Sequence, residues 1–204
     1  MSEPVFTAIP EALEAFANGQ FLVVMDDESR ENEGDLIISA QHITTEKMAF
    51  MVRHTSGYIC APMSIKKADE LELPLMLSRE VMTDPHGTAY TITVDAKEGT
   101  TTGISAHDRA LTCRTLAKST VKPEELTRPG HVCPLRAMDS VLIRDGHTEA
   151  AVELCRLCGL EEVAVICELV RDDGAMMRLK DCWKFAEKFG LKLITIADLV
   201  NHVK

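Results

Sequence analysis

Residues 21–39, FLVVMDDESRENEGDLIIS, decide how this chain folds. Two short apolar runs flank an acidic stretch, and runs of this length bounded by polar turns suit buried strands better than helices. No helix-start pattern separates them. A strand, a loop and a strand in direct succession favour an antiparallel pair, because parallel neighbours need a crossover of about a dozen residues or more, usually a helix. A second hairpin is predicted at VAVICELV (163–170), a turn at Asp172-Asp173-Gly174 and AMMRL (175–179). A purely parallel doubly wound sheet fits this pattern poorly.

Outward from these hairpins, helix and strand signals alternate along the chain. Pro10 and Gly19 frame the helix PEALEAFAN, with Ala12, Leu13, Phe16 and Ala17 on one face. Thr44 or Thr45 caps a helix through EKMAFMVRHTS that Gly57 ends, and the strand YICAPM follows. SIKKADELEL is a weaker helix stopped by Pro74, and GTAYTITVD (87–95) alternates strictly, as a half-buried strand does. Ser105 caps the helix HDRALTCRTLAKS, whereas KPEELTRPGHVCPLRA (122–137) holds three prolines and is too interrupted for a helix. VLIR (141–144) reads as a strand, EAAVELCRLC and DCWKFAEKFG as helices, LKLITI as a strand and IADLVNHVK as a final helix. The expectation is an α+β fold: one catalytic domain over residues 1–204, with a mixed β-sheet covered by helices.

With 204 residues, 46% of them hydrophobic, the chain can build a core without disulfides or a structural metal. Its net charge of −10 repels phosphate backbones and anionic lipid, which argues against nucleic-acid and membrane partners and for a small-molecule substrate. The N-terminus lacks a basic region followed by an apolar one, so no signal peptide is expected. The seven cysteines, an odd number spread through apolar segments, read as reduced thiols of a cytoplasmic protein. Cys155 and Cys158 form a C-x-x-C inside a helix pattern without a second pair, and packing explains them better than zinc or redox work. Cys60 reads as a packed thiol.

Chemistry concentrates at two places. Between Asp26 and Asp35 six of ten residues are acidic and Arg30 is the only cation. A charge run is usually a solvated turn, but this one springs from the ends of two strands, and crowded carboxylates invite a hard divalent cation or acid–base work. Glu31, Glu33 and Asp35 alternate, so an extended segment would bring their side chains together. The second place is RDGHTEAA (144–151), where a strand end, the turn at Gly146 and a helix starting near Thr148 leave unpaired N–H groups beside Arg144. On this motif alone a plain glycine turn with a threonine cap and an exposed histidine is the stronger account; the alternative is a cradle for phosphate or carboxylate, with His147 at its mouth. His131, in a proline-bracketed turn entering a strand, is a weaker acid–base candidate, and Glu168 in the apolar VICELV is a candidate for a perturbed acid. Ser105, His107 and Asp108 lie too close together on one helix turn to form a catalytic triad, so capping explains them.

The acidic loop DDESRENEGD, the segments GTAYTIT and TTGISAHDR, the run RPGHVCPLRA, the turn RDGHTEA and the strand ICEL together resemble the 3,4-dihydroxy-2-butanone 4-phosphate synthase family, in that family's order and over nearly the whole chain. The resemblance implies a stand-alone homodimer of α+β fold with sites at the subunit interface. It would need Mg2+, with Mn2+ as an alternative, and would convert ribulose 5-phosphate to formate and the four-carbon precursor of riboflavin. It implies Glu31 and His147 as metal ligands, Arg30, Asp35 and Arg144, Asp145, Gly146, His147 and Thr148 as substrate contacts, and Glu168 as contact and catalyst. His131 would be a second catalytic group. Asp35 and Glu168 are both candidates for removing the C3 proton. A sugar-phosphate isomerase that stops at the enediol and a metal sensor without turnover are the rival readings.

Overall fold

The two apolar runs around the acidic loop form β1 (Leu22–Met25) and β2 (Gly34–Ser39), paired antiparallel with Val24 opposite Asp35 in a computed structural model that describes residues 4–78 and 80–204. Every residue of both strands is buried. The reason is that helices cover both faces of the sheet, which turns the usual apolar–polar alternation into continuous apolar runs. The remaining strands are β3 (Cys60–Ser64), β4 (Val94–Ala96), β5 (Leu126–Ala137), β6 (Ala164–Glu168) and β7 (Lys192–Thr195). They join one sheet in the order β4-β5-β3-β6-β2-β1-β7. Pairs β1–β7 and β3–β5 are parallel and the others antiparallel, so the sheet is mixed as expected.

Odd and even strand positions feed two cores. Val23, Leu36, Ile38, Val165 and Leu193 face α2 (Thr45–His54), α3 (Ile65–Glu70), α4 (Ala106–Leu116) and α6 (Leu179–Phe189). Leu22, Val24, Ile37, Ile166 and Ile194 face α1 (Ile9–Ala17), α5 (His147–Leu157) and α7 (Ile196–Val203). Truncating a fully buried member such as Leu36 or Ile37 to alanine costs about 2–5 kcal/mol. Asp35 shares the parity of Ile37, so its carboxylate lies on the face of α5. Among the described residues no helix is long and apolar enough to cross a membrane. All seven cysteines are free and all but Cys158 are buried.

Four expectations change. In GTAYTITVD only Val94 begins a regular strand; Tyr90 and Thr91 make single bridges to Leu135 and Leu75, two different partners, so the segment cannot stay straight. VLIR is a turn, because only Val141 reaches the core while Leu142 and Ile143 are exposed. The proline-rich run 122–137 holds the longest strand, β5, and His131 lies within it rather than in a turn leading to it. The hairpin at 163–179 shrinks to β6 and one bridge, Val170 to Met176.

Candidate active site and metal centre

Asp26, the first residue beyond β1, organises the acidic loop. Its buried carboxylate accepts from the N–H of Glu31 (3.0 Å), the N–H of Glu33 (2.8 Å) and Nη1 of Arg30 (3.0 Å). The chain therefore wraps around one anion, turning at Asn32 with φ +55°, and presents Glu31 outward while Asp35 enters β2. Sequence reading did not single out Asp26, although an acid placed immediately after a buried strand was the available signal.

His147 is the first residue of α5 and is 6% exposed. Its Nε2 lies 3.0 Å from the carbonyl of Val24 and must donate, since a carbonyl only accepts. Nδ1 is left facing Glu31 Oε2 at 3.7 Å and Asp35 Oδ1 at 3.8 Å. Burial opposes a charge on the ring, but Asp35, Glu31 and Asp26 outweigh it and push His147 up to about 9. The His147 ring and then Arg30 hold Glu31 down to about 2 against its own burial. Asp35 goes the other way: burial, then the negative neighbours Glu168, Glu31 and Glu33, raise it to about 7 although His147 opposes. Asp35 Oδ1 is buried without a hydrogen-bond partner.

Asp26, Glu31 and His147 offer ligand atoms within 4.8 Å of one another, and among the described residues they are the one such group. Asp26 already accepts three hydrogen bonds, so Glu31 and His147 Nδ1, which must first give up its proton, are the better placed to ligate, and the buried Asp35 oxygen beside them has no hydrogen-bond partner. The residues fit a divalent cation held by two protein ligands and completed by water or substrate oxygens.

Beside it, Arg144 is pinned by Glu149 (2.5 Å) and by Thr88 Oγ1 (3.1 Å). A Cβ on Gly146 would lie 2.4 Å from Arg144 Nη1 and 3.1 Å from Arg30 Nη2, so two guanidinium groups converge where only glycine leaves room. Gly146 is also the N-cap of α5 and supplies no side-chain cap, which leaves first-turn N–H groups for an anion. Arg30, Glu31, Asp35, Arg144, His147 and Glu168 line one cleft, together with Thr148 and Cys60. Asp145 is exposed and does not line it.

Glu168 ends β6 opposite Asp35, partly exposed, and accepts from Ser56 Oγ at 2.7 Å. The burial argued for Glu168 from its apolar strand belongs instead to Asp35. His131 stands apart from the cleft. It is four residues from the cleft residue Leu135 on the same strand, about 13 Å at the usual rise. Its Nδ1 meets buried Asp95 Oδ2 at 2.7 Å, and its ring is 41% exposed. Asp95 is a second residue that sequence reading passed over. Ser105 caps α4 at Asp108, as the capping account requires, and His107 meets Thr45.

A carboxylate and an imidazole that could hold a cation, next to two arginines over a helix start, suit a metal-dependent enzyme for a small anionic molecule. The family model for 3,4-dihydroxy-2-butanone 4-phosphate synthase matches residues 10–202. The 3,4-dihydroxy-2-butanone 4-phosphate synthase of Candida albicans is 61% identical over 98% of both chains, and that of Saccharomyces cerevisiae is 56% identical over 98% of this chain and all of its own. A solved structure described as 3,4-dihydroxy-2-butanone 4-phosphate synthase in complex with two magnesium ions superposes with a TM-score of 0.94 at 54% identity, over 97% of each chain. The chain belongs to the 3,4-dihydroxy-2-butanone 4-phosphate synthase family.

Proposed function

We propose that residues 1–204 form one catalytic unit that converts D-ribulose 5-phosphate to L-3,4-dihydroxy-2-butanone 4-phosphate and formate, supplying the four-carbon precursor of riboflavin in the cytoplasm. The observation that carries the reading is the convergence of Arg30 and Arg144 over Gly146, one residue from His147 and its carboxylates. The arginines, Thr148 and the first N–H groups of α5 hold the phosphorylated substrate. Glu31 and His147 would hold Mg2+, or Mn2+ through the same atoms, and the ion would supply Lewis-acid stabilisation of the negative charge that develops on substrate oxygens.

Proton movements fall to this chain's own side chains. Asp35, with an oxygen free to accept and a value near neutrality, removes the C3 proton; this favours it over Glu168, whose Oε2 already accepts from Ser56. Glu168, at the cleft wall, serves the later proton transfers: the C1 hydroxyl leaves as water, C5 with its phosphate moves from C4 to C3 in a rearrangement, and water adds to C4 as the C3–C4 bond breaks and C4 departs as formate. The cleft is built from polar walls that fix the substrate before each transfer.

His131 completes the reading only in a homodimer. Exposed Tyr58, Met76, Leu77, Leu142 and Ile143 are apolar side chains on the segments that flank Tyr90 and Arg144 of the cleft wall, and a second copy seated there would cover them. His131 of the partner subunit, oriented by its own Asp95, would then enter the cleft. Mixing Glu168→Gln and His131→Ala subunits tests both parts. Formate release restored to about a quarter of wild type after subunit exchange is expected, since half the dimers would carry one intact site of two; no restoration, with exchange demonstrated, contradicts a shared site.

A further inference from the structure

We infer that Arg178 is a positioning residue for the metal-binding loop: from the start of α6 it clamps the turn that presents Glu31 and thereby sets how tightly the site holds its cation. The inference rests on the metal site proposed above. Arg178 Nη1 donates to two successive carbonyls, Glu31 O at 2.7 Å and Asn32 O at 2.5 Å, and stands 3.7 Å from the Glu33 carboxylate. Successive carbonyls converge on one donor only where the backbone turns sharply, and Asn32, at φ +55°, is in the left-handed region that non-glycine residues seldom adopt.

The turn is thus held from both sides. Inside, Asp26 gathers the N–H groups of Glu31 and Glu33; outside, Arg178 gathers the carbonyls of Glu31 and Asn32. Hydrogen bonds to ionised groups are stronger than neutral ones. With both its N–H and its carbonyl fixed, Glu31 retains only side-chain torsions, so its carboxylate is held ready beside His147. Arg30 cannot replace the clamp, because its Nη1 is committed to Asp26 and Glu31.

Arg178 also ties the loop to the other catalytic strand. The N–H of its neighbour Met177 donates to the carbonyl of Leu169, the residue after Glu168, at 2.9 Å. The Glu31 loop and the end of β6 are therefore braced by two adjacent residues, the first through the Arg178 side chain and the second through the Met177 backbone N–H. The side chain is 49% exposed, so its loss is felt in the loop rather than in either core.

The test is calorimetric Mg2+ titration of wild type, Arg178→Met, Arg178→Lys and Glu31→Gln, with thermal unfolding in EDTA and the Mg2+ dependence of formate release. Groups that orient metal ligands typically contribute about 10- to 100-fold to affinity, and about tenfold weaker Mg2+ binding is expected for Arg178→Met. The Mg2+ dependence of turnover should shift in parallel, and lysine, which keeps the charge, should restore part of the loss. Wild-type affinity in Arg178→Met while Glu31→Gln has lost binding overturns the inference alone. Wild-type affinity in Glu31→Gln removes the metal-site reading and the inference with it. A large fall in melting temperature for both Arg178 variants would make Arg178 a structural residue and would also count against it.

Discussion

The Nε2–H of His147 donates to the carbonyl of Val24, and this one bond aims Nδ1 at Glu31 and Asp35. A strand backbone thereby selects the ring nitrogen that is offered to a cation, the arrangement by which protein metal sites usually fix a ligating histidine. The same contact buries the ring under α5, so the two proposed ligands, His147 and Glu31, should differ in what their loss does to the fold.

Replacing His147 by asparagine should weaken Mg2+ binding at least about tenfold and destabilise the metal-free protein by roughly 1–3 kcal/mol, since the buried Val24 carbonyl loses its donor and buried Asp35 loses the imidazolium 3.8 Å away. Glu31→Gln should lose metal affinity to a similar degree but lower the melting temperature less, because Glu31 sits on the partly exposed loop while the His147 ring is buried. Titration calorimetry and thermal unfolding in EDTA separate the two effects. Equal melting temperatures for the two variants would mean that His147 carries no structural share.

The metal-free protein should lose stability steadily as pH rises from about 5 to 9. His147, raised from 6.5 to about 9, contributes stability that is fully present below 6.5 and is lost as pH climbs through 9. Asp35, raised from 3.8 to about 7, adds a cost that grows over that interval because the unfolded carboxyl ionises more easily. Glu31, depressed from 4.5 to about 2, contributes stability present above 4.5 and lost only in strong acid, so it does not offset the decline. Mg2+ competes with the proton on His147, and its affinity should rise over the same window. Melting temperatures in EDTA that stay flat or increase between pH 5 and 9 would contradict these assignments.

Gly146→Ala should raise the KM for ribulose 5-phosphate about tenfold or more with little change in melting temperature. Gly146 has φ −97°, so alanine fits the backbone, and the added methyl instead displaces the Arg144 and Arg30 guanidinium groups. Steady-state kinetics at saturating Mg2+ would show it, and an unchanged KM would remove the two arginines from the phosphate site.

Much of the fold was legible in FLVVM and LIISA because a sheet covered on both faces writes its strands as unbroken apolar runs. VLIR misled for the same reason: a short apolar run exposed on the surface looks like a buried one when burial is unknown. The cleft residues Arg30, Glu31, Asp35 and His147 were visible because acids crowded at a strand end and a glycine turn before a helix are local patterns. Asp95 was not, since it matters through His131, a partner that only the pairing of two distant segments delivers; Asp26 was passed over although its place directly after a buried strand was a local signal, because its bonds are to N–H groups of its own loop. Glu168 showed the limit of inferring burial from neighbours, because strand ends open to solvent where strand centres do not.

Ribulose 5-phosphate labelled with carbon-13 at C4, incubated with the protein and Mg2+ and followed by NMR, tests the central claim most directly. The account predicts that the label leaves as formate, that the remaining four-carbon phosphate is unlabelled, and that EDTA stops both. Label retained in a five-carbon product, or formate released at an undiminished rate in EDTA, would contradict it.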